Sequence, residues 1–275
     1  MGALLAISSA FTLGAGDFFG GIAAKRARVW TVVLWSNLAG VVVALAAAFA
    51  MSDAADVTDL MWGAAAGICG GMATVYLYRA LAGGAMSVVA PVSAAVGAAL
   101  PVVAGILGEG SPSAVVVMGL VSGMAAVPLM SLGAAPASPA RGSLVLAVLS
   151  GLCLGGFLVL LSHAGHSQSL WPLVAARCTS IPLMAVMARR TAAGFVLPRG
   201  ARRPALLSGA LDMGSNVLFV MATWSGQLAT VGLLTSLYPV STVLLAHTVL
   251  GERIRPAQRL GILLALGSVV MVAMG

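Results

Sequence analysis

Long apolar runs joined by short connections dominate this sequence and limit what the chain can fold into. Ten of them have about the length that a helix needs to cross the hydrocarbon core of a bilayer. They lie near residues 3–24, 30–50, 60–80, 85–108, 113–132, 143–163, 171–188, 204–223, 227–250 and 258–274. No connection is long enough for a separate soluble domain. The pattern predicts an all-α integral membrane protein with ten transmembrane helices.

The composition excludes a soluble protein of this length. Hydrophobic residues make up 60% of the chain and charged residues 8%, and the mean hydropathy is +1.08. Soluble domains carry about 25% charged residues, so this chain could not cover a water-exposed surface. Barrel strands are also excluded, because they alternate in polarity over segments of about ten residues. The first apolar run has no basic segment before it and no cleavage site, so we expect it to be structural.

Basic residues are sorted between alternate connections, which predicts the orientation in the membrane. Cytoplasmic loops collect Lys and Arg. The acidic residues Asp53, Asp56, Asp59 and Glu109 lie in the even-numbered loops, which hold no basic residue. The sorting predicts a multi-pass protein of the cytoplasmic membrane with both termini outside, and it argues against a nucleic-acid partner. The odd-numbered loops and their margins hold Lys25, Arg26, Arg28, Arg79, Arg141, Arg189, Arg190, Arg199, Arg202, Arg203, Arg253, Arg255 and Arg259.

Two halves of the chain read as inverted copies of one unit. Residues 1–132 and 143–275 each hold five apolar runs, and an odd number of helices inverts the second copy. Corresponding loops should then differ in charge, and the acidic loop 52–59 does correspond to the Arg-rich loop 189–203. The tripeptide Leu-Gly-Glu stands at 107–109 and again at 250–252. We therefore predict two inverted five-helix repeats, an arrangement frequent in secondary transporters.

Small residues at helical spacing predict close contact between the helices. One stripe in the third run consists of Gly63, Gly67, Gly70, Thr74 and Tyr78, and a second, shorter one in the first run consists of Gly16 and Gly20.

The last 40 residues or so resemble a known family. TSLYPVSTVLLAHTVLGERIRPAQRLGILLALGSVV, from Thr235 to Val270, is similar to the end of the second EamA domain in the drug/metabolite transporter superfamily. The stretch from Gly16 to Lys25 is similar to the first helix of such proteins, without their usual Trp-Gly pair, and Arg177 falls where an EamA repeat often has Arg. The resemblance implies a ten-helix exporter of amino acids, metabolites or drugs and leaves the substrate open.

Three charged residues lie inside apolar runs and are the first candidates for substrate contact. A charge at bilayer depth is costly and usually faces a cavity or a partner. Asp17 lies seven residues before the cytoplasmic end of its run and Asp212 eight after the start of its own, at similar depths of roughly 10 Å. If both face one cavity, one of them could bind a proton or a cationic substrate. The alternative is that Arg177, a backbone amide or a helix end holds each carboxylate in a structural role.

Neutral polar residues complete the candidate site, because a ligand cavity needs convergent polar groups and aromatic walls. Asn216 lies four residues after Asp212, on the same helix face. The other candidates are Tyr78, Tyr238, Asn37 and Trp35. No metal site or cofactor is predicted, because His163 and His166 have no third ligand nearby and the three cysteines show no metal-type spacing.

These features predict a secondary transporter, an exporter of small metabolites, amino acids or drugs that works by alternating access. Its partners are the small-molecule substrate, the lipid bilayer and, where transport is coupled, protons, and it is a monomer or a homodimer. A passive channel or a lipid-translocating protein of the same fold is the alternative. An intramembrane aspartyl protease is a further one, because residues 14–17 spell Gly-x-Gly-Asp and Asp212 could supply the second carboxylate. Glycine is frequent here, however, with 34 in the chain, and a protease does not explain the inverted charge pattern.

Overall fold

The structure is a computed structural model of the 275-residue chain. It describes residues 1–51, 56–83, 86–109, 113–131, 141–164, 169–190, 194–250 and 256–274, and these contain α-helices and no strands. The helices are α1 (Gly2–Ala24), α2 (Val29–Met51), α3 (Val57–Gly83), α4 (Met86–Glu109), α5 (Ala114–Ser131), α6 (Arg141–His163), α7 (Trp171–Arg190), α8 (Arg199–Thr223), α9 (Leu228–Ser236), α10 (Pro239–Leu250) and α11 (Pro256–Met274).

The helices follow the apolar runs and form an all-α membrane bundle. Seven spans among the described residues are long and apolar enough to cross a membrane, and one of them comprises α9 and α10 together. The eleven helices of the described residues correspond to the ten predicted transmembrane segments, because α9 and α10 together make up the ninth. The second Leu-Gly-Glu turn and His166 lie outside the described residues, apart from the helical Leu250.

The ninth apolar run was predicted as one helix, and the structure corrects this. The helix is interrupted at Leu237 and Tyr238, whose N–H groups donate at 3.2 Å to the carbonyls three residues earlier, Leu234 and Thr235. Pro239 explains the interruption, because it has no N–H to donate and disfavours the helical conformation in the residue before it. The segment thus crosses as two half-helices.

Glycines bring the helices into backbone contact, as the predicted stripe in α3 requires. A methyl group on Gly63 or Gly67 would overlap the α7 backbone at Pro172 or Ala176. In α8, Gly209 lies in the same way against the carbonyl of Ser36 in α2. Close approach of this kind supplies the van der Waals contact that holds helices together in lipid.

The main contacts between the two halves form a pattern that is unchanged when the first five segments are exchanged with the last five. Contact between α1 and α8 has its counterpart between α6 and α3, and contact between α2 and α8 has its counterpart between α7 and α3. The contact of α4 with α6 corresponds to that of α9 and α10 with α1. Three further contacts join corresponding helices of the two halves, so the exchange leaves each of them unchanged. They are α2 with α7, α4 with α9, and α5 with α11. A two-fold relation between the halves would produce this set of pairs.

Side-chain contacts bring alternate connections together at the two ends of the bundle. At one end, the Arg26 guanidinium donates at 3.0 Å to the carbonyl of Gly200, so the first and seventh connections meet. At the other end, the rings of Phe49 and Trp171 pack edge to face with centroids 5.0 Å apart, so the second and sixth meet. The first and seventh connections, both basic, therefore lie at the same end of the bundle.

Candidate functional site

A cavity of about 700 Å³, its open mouth included, lies inside the bundle. Its walls come from α1, α3, α6, α7, α8 and α9, and so from both halves of the chain. Gly67, Gly70 and Gly71 of α3 are among its lining residues.

An ion pair joins two of the predicted site residues on this wall. Arg177 of α7 and Asp212 of α8 are 2.5 Å apart, from Nη2 to Oδ2. The Arg177 side chain is 10% exposed and that of Asp212 28%, so the carboxylate is nearer the open space. Asn216, one turn after Asp212, donates to the same Oδ2 at 3.4 Å. The predicted pairing of Asp212 with Asn216 on one face is therefore present.

Asn37 of α2 holds the other side of the guanidinium. Its Oδ1 accepts a hydrogen bond from Nη1 of Arg177 and one from Ser180 at 3.5 Å. Asn37 lies behind the arginine and is not among the described residues that line the cavity. It acts on the site by fixing the position of Arg177.

Asp17 is the second carboxylate of the cavity, and its surroundings differ from those of Asp212. It lines the cavity from α1 and is 8% exposed. It makes no hydrogen bond or ion pair with any residue that the structure describes, whereas Asp212 has both Arg177 and Asn216. Burying a carboxylate without a partner costs several kcal/mol, which makes Asp17 a position where a ligand or a proton would be stabilising.

The two tyrosines and Trp35 lie elsewhere. The Tyr78 hydroxyl shares a hydrogen bond of 2.6 Å with Ser208, and its ring lies against Gly20, where a methyl group would overlap it. Tyr238 is fully buried, with its hydroxyl bonded to Ser93. The Trp35 indole donates at 2.9 Å to the carbonyl of Phe195. These side chains pack helices and a connection together and are not among the described lining residues.

Several wall residues were not predicted from the sequence. Thr235, near the end of α9, lines the cavity, is 2% exposed, and has a hydroxyl oxygen without a partner among the described residues. Ser150 also lines it and donates to the carbonyl of Ala73 at 3.0 Å. The apolar part of the wall includes Leu13, Leu154 and Phe157. A serine, threonine or leucine in an apolar run gives no signal that separates a cavity wall from a helix contact.

No group of three potential metal ligands occurs among the described residues. Nδ1 of His163 donates at 2.8 Å to the carbonyl of Val159 in its own helix, and the His163 ring packs on Trp62. The polar groups of the cavity are thus two carboxylates, one guanidinium, an amide and hydroxyls. Such groups suit reversible binding of a charged or polar small molecule.

Comparisons with known proteins agree with this architecture. Residues 141–274 match the EamA-like transporter family. Among solved structures 24 chains match. One of them, a crystal structure, has a TM-score of 0.75 and 15% identity, over 99% of this chain and 98% of that chain. At this identity the likeness establishes the fold alone. No curated protein matches the sequence.

Proposed function

Because the chain is an EamA-type member of the drug/metabolite transporter superfamily, we propose that it is a secondary transporter that exports small metabolites, amino acids or drugs by alternating access. The observation that carries the proposal is the placement of Asp17 beside the Arg177–Asp212 pair on the wall of one cavity inside the bundle. Ionisable residues at such a depth are costly and commonly mark substrate or ion pathways.

The proposed mechanism uses residues 1–132 and 143–275 as inverted repeats that enclose the site. The exchange pattern of the helix pairs supports this division. So does the tripeptide Pro-Val-Ser, which stands at 91–93 and again at 239–241. In transporters of this kind one repeat rocks against the other around a fixed central site. The divided ninth segment fits the same mechanism, because broken helices are frequent at such sites.

The proposed location is the cytoplasmic membrane, with both termini outside. Its support is the contact between Arg26 and Gly200, which brings the first and seventh connections, both basic, to one end of the bundle. An excess of Lys and Arg marks the cytoplasmic side.

Proton coupling through Asp17 is part of the proposal. Arg177 already balances the charge of Asp212, so Asp17 is the carboxylate whose state of ionisation changes the net charge of the cavity. A proton-coupled site should lose the pH dependence of its transport rate in Asp17→Asn. A purely electrostatic site for cations should instead lose affinity without a change in coupling.

The protease alternative is disfavoured by the partners of the carboxylates. An aspartyl protease needs two carboxylates that share a proton. In this structure Asp212 is paired with a guanidinium at 2.5 Å, and that leaves Asp17 without the second carboxylate that the chemistry needs.

An export screen tests the proposed function. Cells that overproduce the protein are exposed to panels of toxic amino-acid analogues, amines and drugs, beside cells that produce Asp17→Asn, Asp212→Asn or the double variant. We expect the wild type to protect against at least one class of compound and the variants to lose that protection. Asp56→Asn is the matched control, because Asp56 is exposed in a connection and its Oδ1 accepts the N–H of the neighbouring Val57.

Membrane abundance is measured in every strain, so that a loss of protein is not read as a loss of transport. Equal protection by the wild type and all three variants would make both carboxylates structural and leave only neutral polar groups for the site. Failure of the wild type to protect against any class, at full abundance, would contradict export.

A further inference from the structure

The charges that line the cavity do not cancel, and the excess is negative. The described lining residues include two acidic side chains, Asp17 and Asp212, and one basic side chain, Arg177. The ion pair at 2.5 Å removes Asp212 and Arg177 from the balance. Asp17 therefore sets the net charge that a ligand meets.

Arg177 is poorly placed to bind a ligand carboxylate. Its Nη1 donates to Asn37 and its Nη2 to Asp212. Its Nε faces α2, where a methyl group on Gly40 would lie 3.3 Å from it. To pair with Arg177, an anionic ligand would have to displace the Asp212 carboxylate, which is part of the protein and cannot diffuse away. Both Nη groups of Arg177 are thus engaged, and its Nε, which has no partner among the described residues, lies against α2.

Asp17 has the opposite property. It is buried, it lines the cavity, and it makes no ion pair or hydrogen bond with any described residue. Bringing a cation to a buried, unpartnered carboxylate replaces part of the solvation that the carboxylate has lost. The unpartnered hydroxyl oxygen of Thr235, on the wall of the same cavity, is a further acceptor for an N–H donor.

Apolar side chains surround these acceptors. Leu13 lies one turn from Asp17 on the same face of α1. Leu154 and Phe157 of α6 also line the cavity, and the Phe157 ring lies 2.9 Å from where a methyl group on Gly70 would be. An aromatic face attracts cations in addition to apolar groups.

We infer that the ligand of this cavity is an organic cation with an apolar body. Its ammonium group pairs with Asp17, and its body packs against Leu13, Leu154 and Phe157. This assignment rests on the proposed transport function, because it names the substrate class of the same site.

A charge series on one scaffold tests the assignment by binding alone. The probes are phenethylamine, phenethyl alcohol, phenylpropionate and phenylalanine, which present a cation, a neutral group, an anion and a zwitterion on similar bodies. Affinity for the purified protein in detergent is measured by calorimetry. We expect phenethylamine to bind at least about tenfold more tightly than the other probes, because it alone brings a cation without an accompanying anion to the buried carboxylate.

Variants locate the effect at Asp17. Asp17→Asn should lower the affinity for phenethylamine to that for phenethyl alcohol, and Asp56→Asn should leave it unchanged. The wild-type series alone decides the outcome if Asp17→Asn fails to fold. Three results would overturn the assignment: tighter or equal binding of phenylpropionate or phenylalanine, an undiminished affinity in folded Asp17→Asn, and no binding of the amine at any soluble concentration.

The two proposals fail separately. Binding of phenethylamine through Asp17, with no transport by reconstituted protein, contradicts the transport function and leaves the ligand class standing. Transport of an anionic or neutral solute, with no binding of the amine, contradicts the ligand class and leaves the transport function standing.

Discussion

Arg177 carries a buried positive charge, and the polar cluster around it depends on how that charge is balanced. Asp212 accepts from Nη2 and Asn37 from Nη1, and Asn216 in turn donates to Asp212. Removing one partner of a buried ion pair leaves the other charge uncompensated, and this is usually more harmful than removing both. The cluster therefore predicts different effects for single and paired substitutions.

Asp212→Asn should destabilise the folded protein by about 3 kcal/mol, because it leaves the Arg177 charge without its partner. The double variant Arg177→Gln/Asp212→Asn removes both charges and should recover most of that loss. Unfolding in mixed micelles, followed by circular dichroism, measures both values. Equal stability of Asp212→Asn and wild type would contradict a structural role for the pair.

The same reasoning makes Asp17→Asn the cleaner probe of function. Asp17 has no cation partner among the described residues, so the substitution leaves no charge uncompensated. We expect Asp17→Asn to lose transport. In the mixed micelles it should unfold at the same mole fraction of denaturing detergent as wild type, or at a higher one. A marked loss of stability would mean that the carboxylate holds the fold together, as the structural alternative requires.

The charged part of the site could be predicted from the sequence, because an ionised group in an apolar run is unusual enough to stand out. Asp17, Arg177, Asp212 and Asn216 all lie on the cavity wall. Which of the two carboxylates forms the ion pair with Arg177 could not be predicted, because that depends on how α7 packs beside α8. Thr235 was missed because a threonine in a helix normally bonds to its own backbone, and only the packing shows that this one does not.

At the scale of helices, glycines set the distance between backbones. Gly209 of α8 faces the carbonyl of Ser36 in α2, with no room for a methyl group. Because the obstacle is backbone, Gly209→Ala must push α8 away from α2, and we expect a loss of about 1–3 kcal/mol, the usual cost of overpacking. The matched control is Gly267→Ala in α11, where a methyl group would meet nothing within 4 Å.

Unfolding in the same micelles measures both alanine variants. Gly267→Ala should be as stable as wild type or slightly more stable, because alanine is the better helix former. Equal stability of the two variants would show that α2 and α8 are not in the close contact described.

The helices themselves could be predicted from the length of the apolar runs, whereas the division of the ninth could not be predicted from hydropathy. Residues 227–250 are apolar on both sides of the interruption. The signal was Pro239, but a proline in a transmembrane helix often causes only a kink. Whether Pro239 divides the helix depends on the side chains that pack around Tyr238. Here Tyr238 packs against residues of α1 and α4.

At the scale of the whole molecule, the exchange of helix pairs makes a prediction about crosslinks. The Ser9 and Ser215 hydroxyl oxygens are 2.9 Å apart, between α1 and α8. Ser150 donates at 3.0 Å to Ala73, between the corresponding helices α6 and α3. In a background without Cys69, Cys153 and Cys178, the cysteine pairs 9/215 and 73/150 should both crosslink under an apolar oxidant.

A matched pair without contact serves as the control. Ser268 bonds to the carbonyl of Gly119 at 2.7 Å, between α11 and α5. The pair 9/268 should therefore stay reduced. Crosslinking of one of the two test pairs without the other would contradict the two-fold relation of the halves.

The sorting of basic residues predicts the orientation of the whole bundle. A membrane-impermeant maleimide added outside intact cells should modify a cysteine at Asp56 and should not modify one at Arg199, in the same cysteine-free background. The first position belongs to an acidic connection and the second to the basic end. The reverse labelling would invert the orientation, and labelling of both would contradict the number of spans.

Solute counterflow in proteoliposomes tests most directly whether the cavity is the path of a transported solute. Vesicles preloaded with an unlabelled compound of the class exported by cells are diluted into the labelled compound. Wild-type protein and Asp56→Asn should both accumulate label transiently against its gradient, and Asp17→Asn should not. Equilibration of the label without transient accumulation would indicate a channel. Accumulation by Asp17→Asn to the same level as wild type would contradict the assignment of this cavity as the transport site.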